Sequence, residues 1–157
     1  MSETFRVGIV GAGIIGQVHA GALEGLENAE LVAVADVRED AGRQLADKYD
    51  ATWYPSFTDL LAQPDIDVVI LGNPSGLHPE QTILAAQAGK SIITEKPMAI
   101  THDGASRMVD AVESAGVNLA VIFQNRLTGD VYRAKRAIEQ GLIGTPIVAS
   151  ASVFWHR

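Results

Sequence analysis

The apolar positions of this 157-residue chain fall into two alternating kinds of segment. Short runs rich in Val, Ile and Leu occupy residues 5–10, 30–37, 67–71, 91–94 and 117–123. Most are apolar on both faces, the pattern of strands covered by helices on both sides of a sheet. Between them the apolar residues recur at helical spacing: Ile15, Val18, Ala22 and Leu26 after the first run, then Ala41, Leu45 and Tyr49 after the second. Ser56-Phe57-Thr58-Asp59 reads as a capping box ahead of Leu60-Leu61. Ile83, Leu84, Ala86 and Ala88 suit a helix that stops at Gly89. Thr101 is placed to cap a further helix whose buried face carries Ala105, Met108, Val109 and Val112. Alternation of this kind predicts an α/β protein built on a doubly wound parallel sheet.

Past residue 123 the pattern changes. A helix is expected over residues 130–140, followed by the turn-rich stretch Gly141-Leu142-Ile143-Gly144-Thr145-Pro146. In residues 147–155, Ile147, Ala149, Ala151, Val153 and Trp155 face one way, while Val148, Ser150, Ser152 and Phe154 face the other. That alternation predicts a strand of an antiparallel sheet with one wet face. The expected organisation is therefore a first domain over residues 1–125. Residues 126–157 then form a linking helix and the opening strand of a truncated second domain.

Composition narrows the function. Hydrophobic residues make up 47% and charged residues 20%, the balance of a globular protein, and the net charge is −7. A phosphate-backbone binder needs a basic face, so nucleic acid is not an expected partner. With no cysteine, disulfides, thiolate catalysis and cysteine-ligated metals are excluded. None of the four histidines shows metal-ligand spacing, so no metal is expected. No apolar run reaches the roughly 20 residues of a membrane span. Met1-Ser2-Glu3-Thr4 has no basic-then-apolar leader pattern, so a cytoplasmic protein is expected.

The chemistry begins at Gly11-Ala12-Gly13-Ile14-Ile15-Gly16, a G-x-G-x-x-G run between the first strand and its helix. In a dinucleotide site Gly11 makes the tight turn, Gly13 lets the backbone approach a pyrophosphate, and Gly16 lets helix and strand pack closely. The anion then sits on free N–H groups at the helix N-terminus, those of Ile14 and Ile15 included. Asp36, about 20 residues past the last glycine, ends the second apolar run, where a carboxylate accepts from a ribose hydroxyl. A carboxylate there repels a 2′-phosphate and favours NAD, whereas the guanidinium of Arg38 can pair with that phosphate and admit NADP. From the glycine motif alone, a methyltransferase binding S-adenosylmethionine remains a competitor.

Two later segments also sit at strand ends, where ligands bind in doubly wound sheets. In Gly72-Asn73-Pro74-Ser75-Gly76-Leu77-His78, Asn73 and Ser75 can bond cofactor hydroxyls or phosphates, and Pro74 stiffens the turn. Thr94-Glu95-Lys96-Pro97 follows the 91–94 run. Taken together, the glycine run with His19, the Asn73–His78 segment, Ala88-Gly89-Lys90 and Glu95-Lys96-Pro97 resemble the Gfo/Idh/MocA family of glucose–fructose oxidoreductases and inositol dehydrogenases. Asn73 stands where many members carry threonine, and Ser75 where many carry asparagine.

The resemblance implies a Rossmann-type domain with a cofactor-binding set that adds His78, Glu95 and Gln124 to the residues above. Lys96 would lie beside the nicotinamide as the catalytic residue, with Lys96-Pro97 as a cis peptide. Such a lysine can polarise a carbonyl or share a proton with an alcohol. Gln124-Asn125-Arg126 occupies a further crevice position, and Arg126 reads equally as a cofactor neighbour or a structural ion-pair residue. His19 and His78 read as helix-start hydrogen bonders, and His102 and His156 have no partner in the motifs. By the same resemblance the substrate is a sugar, sugar acid or cyclic polyol, and the full-length enzyme is a homo-oligomer. A second domain would supply an aspartate and a proton-transfer histidine, which leaves this fragment inactive. The alternative is a non-catalytic dinucleotide sensor, which has no need of Lys96.

Overall fold

A computed structural model describes residues 4–152 and 154. The chain divides into two compact units, residues 1–122 and 123–157.

The first unit is a six-stranded parallel sheet. Its strands are β1 (Phe5–Val10), β2 (Ala29–Ala35), β3 (Thr52–Tyr54), β4 (Val68–Leu71), β5 (Ser91–Thr94) and β6 (Leu119–Val121), in the spatial order β3-β2-β1-β4-β5-β6. The order reverses at β1, so the crevice between β1 and β4 is the topological switch point. Helices α1 (Ile14–Leu23), α2 (Glu39–Lys48), α3 (Phe57–Leu61), α4 (His78–Gln87) and α5 (His102–Ala115) fill the crossovers. Each sheet face has its own core. Val7, Ile9, Val34 and Ile70 pack with Ala20 of α1 and Leu45 of α2. Val10, Val69, Leu71 and Ile92 pack with Leu60, Ala85 and Val112 of α3, α4 and α5. Double coverage is why these strands read as apolar on both sides.

The caps fall where the sequence puts them. Ser56 accepts from the Asp59 amide at α3, and Thr101 from the Gly104 amide at α5. α5 ends at Gly116, in the left-handed region. Two helix faces differ from expectation. On α1 the buried residues are Gly16 and Ala20, while Ile14, Ile15 and Val18 are exposed. Close approach of α1 to β1 leaves room for small residues alone. On α5 Met108 and Val112 are buried, but Val109 is exposed. The strand β3 was not expected at all. It is a three-residue edge, too short to show alternation, although Thr52-Trp53-Tyr54 are all β-formers.

Lys90 is buried, and its ammonium donates to the carbonyls of Gln63 (2.7 Å) and Ile66 (2.8 Å), closing the α3–β4 connection. Burial lowers its pKa below the ordinary 10.5. The unfolded chain therefore holds this proton more tightly than the folded one, and stability rises with pH between the lowered value and 10.5. Lys90→Met strips both carbonyls of a donor. It should cost about 2 kcal/mol at neutral pH and lose its share of that alkaline rise. Urea denaturation of both proteins across the pH range checks this; superposable curves would remove the account.

In the second unit, Gln124–Leu127 forms a short 3-10 turn that leads into α6 (Gly129–Glu139), an exposed helix carrying an Asp130–Arg133 ion pair. The strand expected over residues 147–155 does not form over residues 147–152, which are exposed and carry no ladder. A strand exists through its inter-strand hydrogen bonds, and among the described residues this segment has no strand to pair with. Val153, Trp155 and His156 lie outside the described residues.

Candidate functional site

At the carboxyl ends of β1, β2 and β4 lies a cavity of about 590 Å³. Its lining includes the glycines Gly11 and Gly13 and the polar residues Asp36, Arg38, Ser56, Asn73 and Gln81, with Val37, Phe57, Pro74 and Leu77 as apolar walls. A second depression, of about 540 Å³, sits at the amino ends of the strands beside Arg6, Glu24 and Glu30, away from every motif.

The glycine turn is held by close contact. Gly11 has φ +98°, and a Cβ there would come to 3.1 Å from backbone atoms of Gly72 and Asn73. The first turn and the Asn73 turn thus meet backbone to backbone at the switch point. A Cβ on Gly16 would lie 1.9 Å from the Gly11 carbonyl oxygen. Gly13 is the N-cap of α1, and a Cβ on it would meet nothing within 4 Å. Among the described residues no side chain caps α1, so its first-turn N–H groups stay free for an anion. This donor set fits a pyrophosphate.

Asp36 faces the same opening. Its Oδ2 accepts from the Ala12 amide at 2.7 Å and its Oδ1 from the Arg38 amide at 2.8 Å. A carboxylate offers about four acceptor positions, so each oxygen keeps one for a ribose hydroxyl. Arg38 is exposed, with its Nε 3.7 Å from Asp36 Oδ1. Asn73 donates its amide to Gln81 Oε1 at 2.8 Å, while its Oδ1 is buried with no partner among the described residues. An orphaned acceptor on the cavity wall fits a hydroxyl donor from a ligand.

Ile14, Ile15, Gly16, Ser75, His78, Glu95 and Lys96 do not line this cavity. Lys96 is exposed just beyond β5, and the Lys96–Pro97 peptide is cis. The preceding Glu95 is held twice. His19 of α1 lies 3.0 Å from Oε1, and the Lys96 amide donates to Oε2 at 3.2 Å. His78 is fully buried at the start of α4, its Nε2 3.0 Å from the Asn73 carbonyl and its Nδ1 3.1 Å from the Pro97 carbonyl. One ring therefore bridges the two crevice turns. Gln124 and Arg126 belong to the 3-10 turn of the second unit.

Sequence reasoning missed the apolar walls, Val37, Phe57 and Leu77, because an apolar residue beside a ligand looks like any other. It also missed Gln81, one helical turn past His78, which orients Asn73.

Comparison with known proteins gives the family. The profile of the Gfo/Idh/MocA oxidoreductase family, described as an NAD-binding Rossmann fold, matches residues 5–123. The chain is 38% identical over 149 residues to an inositol 2-dehydrogenase/D-chiro-inositol 3-dehydrogenase of Shouchella clausii, covering 92% of this chain and 43% of that protein. It is 33% identical over 144 residues to a myo-inositol 2-dehydrogenase of Thermotoga maritima, covering 91% and 43% respectively. Among solved structures, the WlbA dehydrogenase of Bordetella pertussis in complex with NADH and UDP-GlcNAcA superposes with a TM-score of 0.88 at 40% identity, over 92% of this chain and 42% of that one. The chain thus spans less than half the length of these relatives.

Proposed function

Because the chain belongs to the Gfo/Idh/MocA oxidoreductase family through its NAD-binding Rossmann domain, we propose that it is the cofactor-holding part of a sugar or polyol dehydrogenase. The nicotinamide, when bound, would supply a hydride acceptor for a secondary alcohol carbon or a hydride donor for the corresponding carbonyl carbon. The substrate class, a sugar, sugar acid or cyclic polyol, rests on the inositol dehydrogenases and on the UDP-GlcNAcA complex among its relatives.

The observation that carries this reading is the Asp36 carboxylate. It is anchored on the Ala12 and Arg38 amides at the mouth of a cavity whose other side is the uncapped start of α1. The first-turn N–H groups of Gly13, Ile14, Ile15 and Gly16 would bind the pyrophosphate, and Asp36 the adenosine ribose. Val37, Phe57 and Leu77 would cover the adenine. Asn73 and Ser75 would place further hydroxyls. Glu95, steadied by His19, would orient the turn that carries Lys96. Lys96 would hold the substrate oxygen and share its proton as the carbon changes oxidation state.

Titrating NADH into the protein and following its fluorescence should give saturable binding below millimolar concentration. NADPH should bind more weakly, since its 2′-phosphate meets the carboxylate. Asp36→Ala should weaken NADH roughly tenfold, leave NADPH nearly unchanged and so close the gap. A folded wild-type sample that binds neither cofactor, or that prefers NADPH, would overturn the assignment.

A further inference from the structure

Asp36 carries four hydrogen bonds, and two of them come from the edge strand β3. Its amide donates to the Tyr54 carbonyl at 3.3 Å, and its own carbonyl accepts the indole N–H of Trp53 at 3.1 Å. The indole is itself held on two sides. Arg43 stacks over the ring, its guanidinium carbon 4.5 Å from the centroid, and is steadied by an ion pair with Glu39 at 2.8 Å. On another side the ring lies against the bare backbone of Gly42 in α2. A Cβ there would fall 2.3 Å from Trp53 Cδ1 and Nε1, and 3.3 Å from Asp36 Cβ. A helix interior normally favours alanine over glycine. Here the missing Cβ makes room for both the indole and the acid.

We propose that Trp53 is a positioning residue for cofactor selection: its indole N–H, seated against Gly42 and donated to the Asp36 carbonyl, aims the carboxylate that separates a free ribose from a 2′-phosphorylated one. This rests on the reading of Asp36 as the ribose-binding acid. The chain turns sharply from β2 into α2 through Asp36, Val37 and Arg38, and Val37 and Arg38 are exposed. Without the indole bond, residue 36 keeps only its amide's bond to the Tyr54 carbonyl on β3, and the peptide between Asp36 and Val37, having lost its tie to that strand, can rotate. Rotation swings the carboxylate off the Ala12 and Arg38 amides. A purely structural tryptophan would, on removal, weaken both cofactors alike. A positioning one weakens NADH selectively, because NADPH gains nothing from the carboxylate.

The test uses Trp53→Phe, which keeps an apolar ring but removes the donor, and Gly42→Ala, which crowds the indole while improving α2 helix propensity. Both should weaken NADH roughly tenfold, the effect of one directed hydrogen bond, with little change for NADPH. In cofactor-free samples, hydrogen exchange should show the Ala12 and Arg38 amides losing protection in both variants. The indole N–H of Trp53 should exchange slowly in the wild type. An unchanged NADH-to-NADPH ratio together with unchanged protection of the two amides would overturn the inference. So would a wild-type indole N–H exchanging at the rate of free tryptophan, a result that needs no variant to fold. The exchange readouts require no cofactor, so they stand or fall apart from the cofactor assignment. Failure of the wild type to bind NADH would instead strike that assignment.

Discussion

Gly16→Ala should abolish measurable NADH binding and cost about 3 kcal/mol of stability, the upper range for forced overpacking. The new methyl group would sit 1.9 Å from the Gly11 carbonyl oxygen and 3.0 Å from the Gly11 carbonyl carbon. Both atoms are main chain, inside a turn already fixed by the Gly11 amide's bond to the Ala35 carbonyl at 2.8 Å. Neither can swing aside, so α1 must back away from β1. That movement withdraws the first-turn N–H groups from the crevice and opens the small-residue seam at Ala20. Gly13→Ala is the contrast. Its Cβ meets nothing within 4 Å of protein, so stability should change by less than about 1 kcal/mol. NADH affinity should still collapse, because that open space is where the pyrophosphate belongs. Denaturation curves and NADH titrations on the pair separate packing from binding. Wild-type stability in Gly16→Ala would refute the close-packing account.

His78→Leu should be nearly as damaging, by a different route. The ring is buried with a carbonyl oxygen opposite each nitrogen, those of Asn73 and Pro97. Leucine fills much of the volume but removes the ring N–H, the donor that one of these two carbonyls accepts. Orphaned buried polar groups cost about 1–3 kcal/mol each. A loss near 3 kcal/mol should lower the melting temperature by roughly 10 °C in a chain of this size. The variant that folds should bind NADH more weakly, although residue 78 does not line the cavity, since the Asn73 turn is no longer tied to the Pro97 turn. A calorimetric scan with a cofactor titration checks both halves. Full NADH affinity in a destabilised His78→Leu would show that the bridge serves the fold alone.

Much of this was legible in the sequence because the signals are local. Parallel strands buried on both faces advertise themselves as apolar runs, and Ser56 and Thr101 announce helices through side chains that reach their own third residue. The glycine run, Asp36 and the Asn73 turn are likewise short segments with fixed tasks, and the structure gathers them around one cavity. What stayed hidden depends on partners distant in the chain. β3 is three residues long and gains its identity from pairing with Ala33, Val34 and Ala35. The exposed side of α1 carries the more apolar residues because the sheet requires small ones beneath it. The alternation in residues 147–152 is a strand pattern lacking a ladder among the described residues. His78 read as a helix-start residue, and nothing nearby in the chain indicates that its second partner is the Pro97 carbonyl, 19 residues on.

The uncapped start of α1 has a consequence for how this motif can drift. Its anion cradle consists of peptide groups, so the message it carries is a backbone shape rather than a set of side chains. Within six consecutive positions the tolerance to substitution should therefore alternate sharply. Residues 14 and 15, at 81% and 41% exposure, can exchange among many helix formers and still leave the cradle intact. Residues 11 and 16 cannot gain a single carbon. A saturation library selected for NADH retention would then show a barcode, two permissive columns between intolerant ones. Sequences that share this cradle would then differ most at residues 14 and 15, which give the phosphates only their amides, and least at residues 11, 13 and 16.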